Sequence, residues 1–110
     1  MTIEDLQRFG ARTDEGLARC LNNEQFYLML VKKAIADDGY TRLQAAVEQG
    51  DFAQGFEIAH GLKGVLGNLS LTPLYEAVCE ITELLRANTQ TDYTPYLHRI
   101  AALHRQLADL

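Results

Sequence analysis

Between one turn signal and the next, the apolar residues of this chain recur at intervals of three and four, and nowhere do they alternate with polar ones over the length of a strand. A period near 3.6 belongs to helices that bury one side, whereas a half-buried strand needs a period of two. The chain is therefore restricted to helices, and the punctuation sets their number. Thr2 as N-cap, with Asp5 in the capping-box position, opens a first helix carrying Ile3, Leu6 and Phe9, which Gly10 closes. Thr13 is expected to cap a short second one with Leu17, Cys20 and Leu21 on one side. Asn23 caps a longer one to about Asp37, with Phe26, Tyr27, Leu30, Val31, Ala34 and Ile35 as its apolar stripe.

Gly39 marks a break or bend, and Tyr40 to Gln49 continues helically, either as a separate element or as a prolongation, with Leu43, Ala46 and Val47 inward. Gly50 stops it, and Asp51 caps a helix from Phe52 to Leu66 or Leu69. Thr72 as N-cap and Pro73 at the first helical position open the next, which runs to about Ala87 over a stripe of Leu74, Ala77, Val78, Ile81, Leu84 and Leu85. A last helix begins at Asp92 or Thr94 and reaches Ala108, with Leu97, Ile100, Ala101, Leu103 and Leu107 inward. Four substantial amphipathic helices on short connections predict an all-α fold: an antiparallel four-helix bundle, with the short N-terminal helices as additions at one end or side.

At 110 residues and 47% hydrophobic, the chain has enough material for one core, so residues 1–110 are expected to form a single domain. A formal net charge of -5 argues against a nucleic-acid partner, which would call for a basic face. No apolar run is long enough to span a bilayer, and Met1 to Asp5 lacks the pattern of a secretory signal, so a cytoplasmic protein without membrane attachment is expected. Cys20 and Cys79 lie far apart in apolar-periodic segments and read as buried thiols. His98 and His104 have no helical metal-pair spacing and read as surface residues, so no metal site is expected.

The chemistry concentrates in Ala59-His60-Gly61-Leu62-Lys63-Gly64. Ile58, Leu62, Val65, Leu66 and Leu69 gather on one side of that helix, and His60 falls nearly opposite, so its ring points away from the apolar side. Lys63, Gly64 and Gly67, at i+3, i+4 and i+7, share the histidine's face. Each interior glycine costs about 1 kcal/mol relative to alanine, so several beside one histidine suggest clearance for another molecule. Lys63 can stabilise a negative group held on or near the imidazole, and a neutral imidazole is a nucleophile. Phe56 at i-4, with Ala53 and Gly67, would extend a docking patch that Leu6 or Phe9 could border. The competing reading of Gly61, Gly64 and Gly67 is a small-residue groove in which another helix crosses closely.

This motif, with Asn68 following, resembles the signature of histidine-containing phosphotransfer (HPt) domains, and the helix order resembles theirs over nearly the whole chain. Where relatives often carry Ser or Thr after the histidine and small residues after Lys-Gly, this chain has Gly61, Val65 and Leu66. The resemblance implies that His60 accepts a phosphoryl group on Nε2 from a receiver-domain aspartate and passes it to another response regulator. Lys63 would be the cation beside that group and Gly64 the gap admitting the receiver. It further implies a monomeric phosphocarrier with no kinase activity of its own. Its partners would be receiver domains of response regulators and hybrid sensor histidine kinases, and it would need no cofactor beyond the Mg brought by the receiver. In some relatives a polar residue of the following helix bonds the imidazole, which makes Thr82 and Glu83 candidates here. An adaptor bundle that binds a receiver or kinase without being phosphorylated is the alternative.

Overall fold

In a computed structural model describing residues 1–110, the chain forms seven helices and no strand. They are α1 (Ile3–Phe9), α2 (Thr13–Arg19), α3 (Glu24–Ile35), α4 (Gly39–Glu48), α5 (Phe52–Asn68), α6 (Thr72–Arg86) and α7 (Thr94–Ala108). The expected capping box is present: Asp5 N–H donates to Thr2 Oγ1 and Thr2 N–H to Asp5 Oδ2, both at 3.0 Å. Asn23 and Asp51 cap α3 and α5 through the N–H groups of Phe26 and Gln54. Gly10 and Gly50, at φ of 111° and 75°, take the left-handed conformation in which a side chain would be strained.

Two expected caps are displaced by one residue. Thr13 is buried and is the first residue of α2, because its hydroxyl accepts from Gln7 Nε2 at 3.1 Å instead of serving its own helix. Thr72 likewise lies inside α6 and donates its hydroxyl to Ser70 O at 3.2 Å, while Leu71 holds the cap position without a side-chain bond. The region after Gly39 is a distinct helix. Gly39 N–H donates to Asp37 Oδ1 at 2.6 Å, interrupting the ladder, and Leu62 approaches so closely that a Cβ on Gly39 would lie 3.0 Å from it.

The bundle proper is α4 to α7. Consecutive helices on short connections run antiparallel: α5 lies between α4 and α6, α6 packs on α7, and α7 returns to α4. Leu43, Leu62, Leu66, Leu74, Val78, Ile81, Ile100 and Leu107 form much of its continuous core. From outside the ring α3 adds Tyr27, Val31 and Ala34, and α1 adds Leu6. Tyr27 ties α3 to the end of α5 by donating its buried hydroxyl to Leu69 O at 2.8 Å, and burial pushes this phenol up to about 12. No helix is long and apolar enough to cross a membrane.

Four inward assignments fail, one of them Ala101, which stands exposed on α7. Phe26 and Val65 stand 45% and 41% exposed, and Leu21 is almost wholly exposed in a left-handed turn. The reason for Phe26 is local: residues 26–31 are apolar without a break, and a helix has no single side wide enough for all of them.

Candidate functional site

The 17-residue helix α5 carries His60 at its midpoint. Its sequence is a poor helix by propensity, with Gly55, Gly61, Gly64 and Gly67 each costing about 1 kcal/mol. Burial decides the matter, since Ile58, Leu62 and Leu66 enter the core for about 1.5–3 kcal/mol each. Ala59 and Gly55 complete the inward side, and His60 stands exposed on the outward one.

The glycines divide into two pairs. A Cβ on Gly67 would meet the Tyr75 ring at 2.8 Å, and one on Gly55 would touch Leu85 at 3.4 Å, so these two serve close packing of α5 on its neighbours. At Gly61 and Gly64 nothing lies within 4 Å of an added Cβ. The helix-crossing explanation holds for Gly67 and not for Gly61 or Gly64. Bare backbone open to solvent adjoins the histidine at i+1 and i+4.

His60 makes no hydrogen bond within the chain. Its ring sits beside Phe56, with centroids 5.6 Å apart at 35°, and the Arg86 guanidinium lies over the other aromatic partner, 4.9 Å from the Phe56 centroid. Neither candidate on α6 reaches the imidazole. Thr82 is fully buried and returns its hydroxyl to Val78 O at 2.6 Å, while Glu83 pairs with Arg86 at 3.3 Å. Lys63 is half-buried and forms no ion pair, which leaves its ammonium available to a group arriving at the ring. Ala53 is exposed one turn before Phe56 on the same side. Leu6, buried in the core, contributes no surface.

At about 100° per residue, Phe56, Lys63 and Gly67 lie to one side of His60, and Gly64, Gly61 and Val65 to the other. The second side opens into two grooves. One of about 630 Å³ runs between Leu30, Lys33 and Asp37 on the α3 side and Gly64, Val65 and Asn68 on α5. The other, of about 360 Å³, runs between Gly39 and Arg42 of α4 and Gln54, Glu57 and Gly61 of α5. Asp37 and Val65 border both. The imidazole thus stands at the edge of a trough, with a lysine on its far side.

His104 corrects the surface reading. It is half-buried, stacks on Tyr40 with centroids 4.0 Å apart, and its Nε2 lies 2.8 Å from Ile35 O, tying α7 to the end of α3. His98 is exposed, as expected. Cys20 is buried and Cys79 half-buried, and both are free thiols.

The sequence reading missed the outer face of α3, where Met29 is 48% exposed beside Phe26. The unbroken apolar run is the signal that could have revealed it. A search of curated proteins returns no match to the chain, and neither does one of solved structures. The Hpt domain family model matches residues 35–110, a span that begins at the final residue of α3 and takes in the whole α4–α7 bundle with His60 on its central helix. On that match, over more than half its length, the chain belongs to the Hpt domain family, whose members serve histidine phosphotransfer in phosphorelays.

Proposed function

We propose that His60 is the phospho-acceptor, taking a phosphoryl group from a receiver-domain aspartate and delivering it to the aspartate of another response regulator. The observation that carries the reading is the placement of one exposed imidazole, without any hydrogen-bond partner in the chain, beside the open backbone of Gly61 and Gly64. In the forward step the lone pair of neutral Nε2 attacks phosphorus, the N–P bond forms, and the acyl O–P bond breaks with its electrons going to the departing carboxylate. The proton on Nδ1 can then pass to solvent, which reaches this ring. The return step reverses these changes on a second carboxylate.

Lys63 provides positive charge beside the transferring group, and Gly64 the clearance for the partner's approach. Hybrid sensor kinases and response regulators would supply the receivers, each bringing its own divalent metal. The chain's part is a nucleophile and a surface, with no ATP-dependent step.

The test is incubation with a phosphorylated receiver domain, following acid-labile, alkali-stable label on wild type and on His60→Gln. Label on wild type alone is expected. A folded wild-type protein that takes no label from several competent receivers, while still binding them, would replace the phosphocarrier with an adaptor.

A further inference from the structure

With no hydrogen bond to hold it, the imidazole of His60 is oriented by packing alone. Side chains on a helix lean toward its N-terminus, over the turn that precedes them. For His60 that turn offers Phe56 at i-4 and Glu57 at i-3, and the ring rests on Phe56, with centroids 5.6 Å apart at 35°. The following turn presents Gly64, which has no side chain to compete for it.

Phe56 is fixed in turn from the neighbouring helix. It is half-buried and packs against the core, Arg86 of α6 lies over its ring at 4.9 Å from the centroid, and Glu83, one turn earlier on α6, holds that guanidinium at 3.3 Å. The phenyl ring is thus a wall secured by both α5 and α6, standing against a side chain otherwise exposed to solvent. The pairing with Glu83 occupies Arg86, which leaves Lys63 as the unpaired cation on this flank. A ring-on-ring contact also has a property that a hydrogen bond lacks: it restrains the imidazole without engaging either nitrogen.

We propose that Phe56 is a positioning residue for phosphoryl transfer, holding the imidazole in the rotamer from which Nε2 meets a phosphoryl group delivered by a receiver. It acts on the reaction through His60 rather than as contact area for the partner. A helical side chain of this type has two favoured χ1 wells and two broad χ2 orientations, about four arrangements in all, and the Phe56 contact selects among them. Releasing the ring should slow transfer inside the complex by about two- to fourfold, whereas a donor that diffuses freely to an exposed nitrogen should react as before. This inference rests on the phosphocarrier reading for the reaction that the positioning serves.

The experiment compares wild type, Phe56→Leu and Phe56→Tyr as full chains, with circular-dichroism melts to check the fold. Leucine keeps apolar bulk and removes the flat ring, and tyrosine keeps the ring. Three-bond NMR couplings across χ1 of His60, measured without any partner, should show a single rotamer in wild type and Phe56→Tyr and averaging in Phe56→Leu. Single-turnover transfer from a phosphorylated receiver over a range of receiver concentrations should give Phe56→Leu a maximal rate about two- to fourfold lower at unchanged half-saturation, and Phe56→Tyr the wild-type rate. Labelling by phosphoramidate, which releases ammonia as its phosphoryl group passes to the imidazole, should be equal in all three. An averaged rotamer in wild type or an unchanged maximal rate in Phe56→Leu would overturn the proposal. So would a loss confined to half-saturation, which would make Phe56 a docking residue, or slower labelling by phosphoramidate, which would assign it to the basicity of the ring. If His60 is held in one rotamer but no receiver labels wild type, the phosphocarrier reading falls and the positioning role with it. If transfer proceeds from an averaged ring, the positioning role alone falls.

Discussion

The four glycines of α5 lend themselves to a single experiment, substitution of each by alanine, because their surroundings differ while their helix is the same. At Gly61 and Gly64 an added methyl meets nothing within 4 Å, so only the backbone term operates, and each change should stabilise the protein by about 1 kcal/mol. For a domain near this size that raises the melting temperature by roughly 4–8 °C per kcal/mol. At Gly67 the same gain is opposed by a contact of 2.8 Å with the Tyr75 ring, and overpacking of about 1–3 kcal/mol leaves a net loss. Gly55→Ala, at 3.4 Å from Leu85, should fall between the two outcomes. Urea and thermal unfolding by circular dichroism give the stabilities, and label transfer from a phosphorylated receiver gives the activity. The expectation is that Gly64→Ala is more stable and slower to accept phosphate. Lower stability in Gly61→Ala or Gly64→Ala would refute the claim that their side of the helix is open. Higher stability with transfer at the wild-type rate would refute the claim that the clearance serves the partner.

Two further outcomes follow from contacts away from the histidine. Tyr27→Phe strands the buried Leu69 carbonyl and should cost about 1–3 kcal/mol in urea unfolding, with little change in transfer because the altered group is remote from the ring. Asp5 is held below its ordinary value of 3.8 chiefly by the Thr2 backbone N–H, then by the Thr2 side chain and Arg8. Its folded pKa being the lower one, its contribution is complete above the unfolded value and is lost as pH falls through the folded one. Protection of the α1 amides, taken relative to their intrinsic exchange rates, should therefore fall below about pH 4, and Thr2→Ala should weaken that dependence.

The helices of the bundle and the face carrying His60 could be read from the sequence because each depends on near neighbours. Asp51 caps its own helix, and the inward side of α5 is written in Ile58, Leu62 and Leu66. What failed depended on residues distant in sequence. Thr13 looks like a cap until Gln7 takes its hydroxyl, and His104 looks like a surface residue until α3 ends beside it. The glycines illustrate the boundary well: periodicity puts Gly64 and Gly67 on one face, but only the position of Tyr75 distinguishes an open site from a packed one. Phe26 and Met29 were hidden by excess, since a run of apolar residues does not reveal which of them the core will leave out.

The second and third helices are fastened to the end of α5 in a way that bears on how the chain can evolve. Arg12 N–H donates to Ser70 O, Tyr27 Oη to Leu69 O, and Arg19 Nη1 to Gly67 O, Asn68 O and Ser70 Oγ. Four of these five bonds end on main-chain carbonyls, which every residue type provides. Mutations on the far side of the joint can accumulate without breaking it, so neither lineage of substitutions must wait for the other. A variable segment and a constrained one can thus drift at separate rates while remaining a single folded unit.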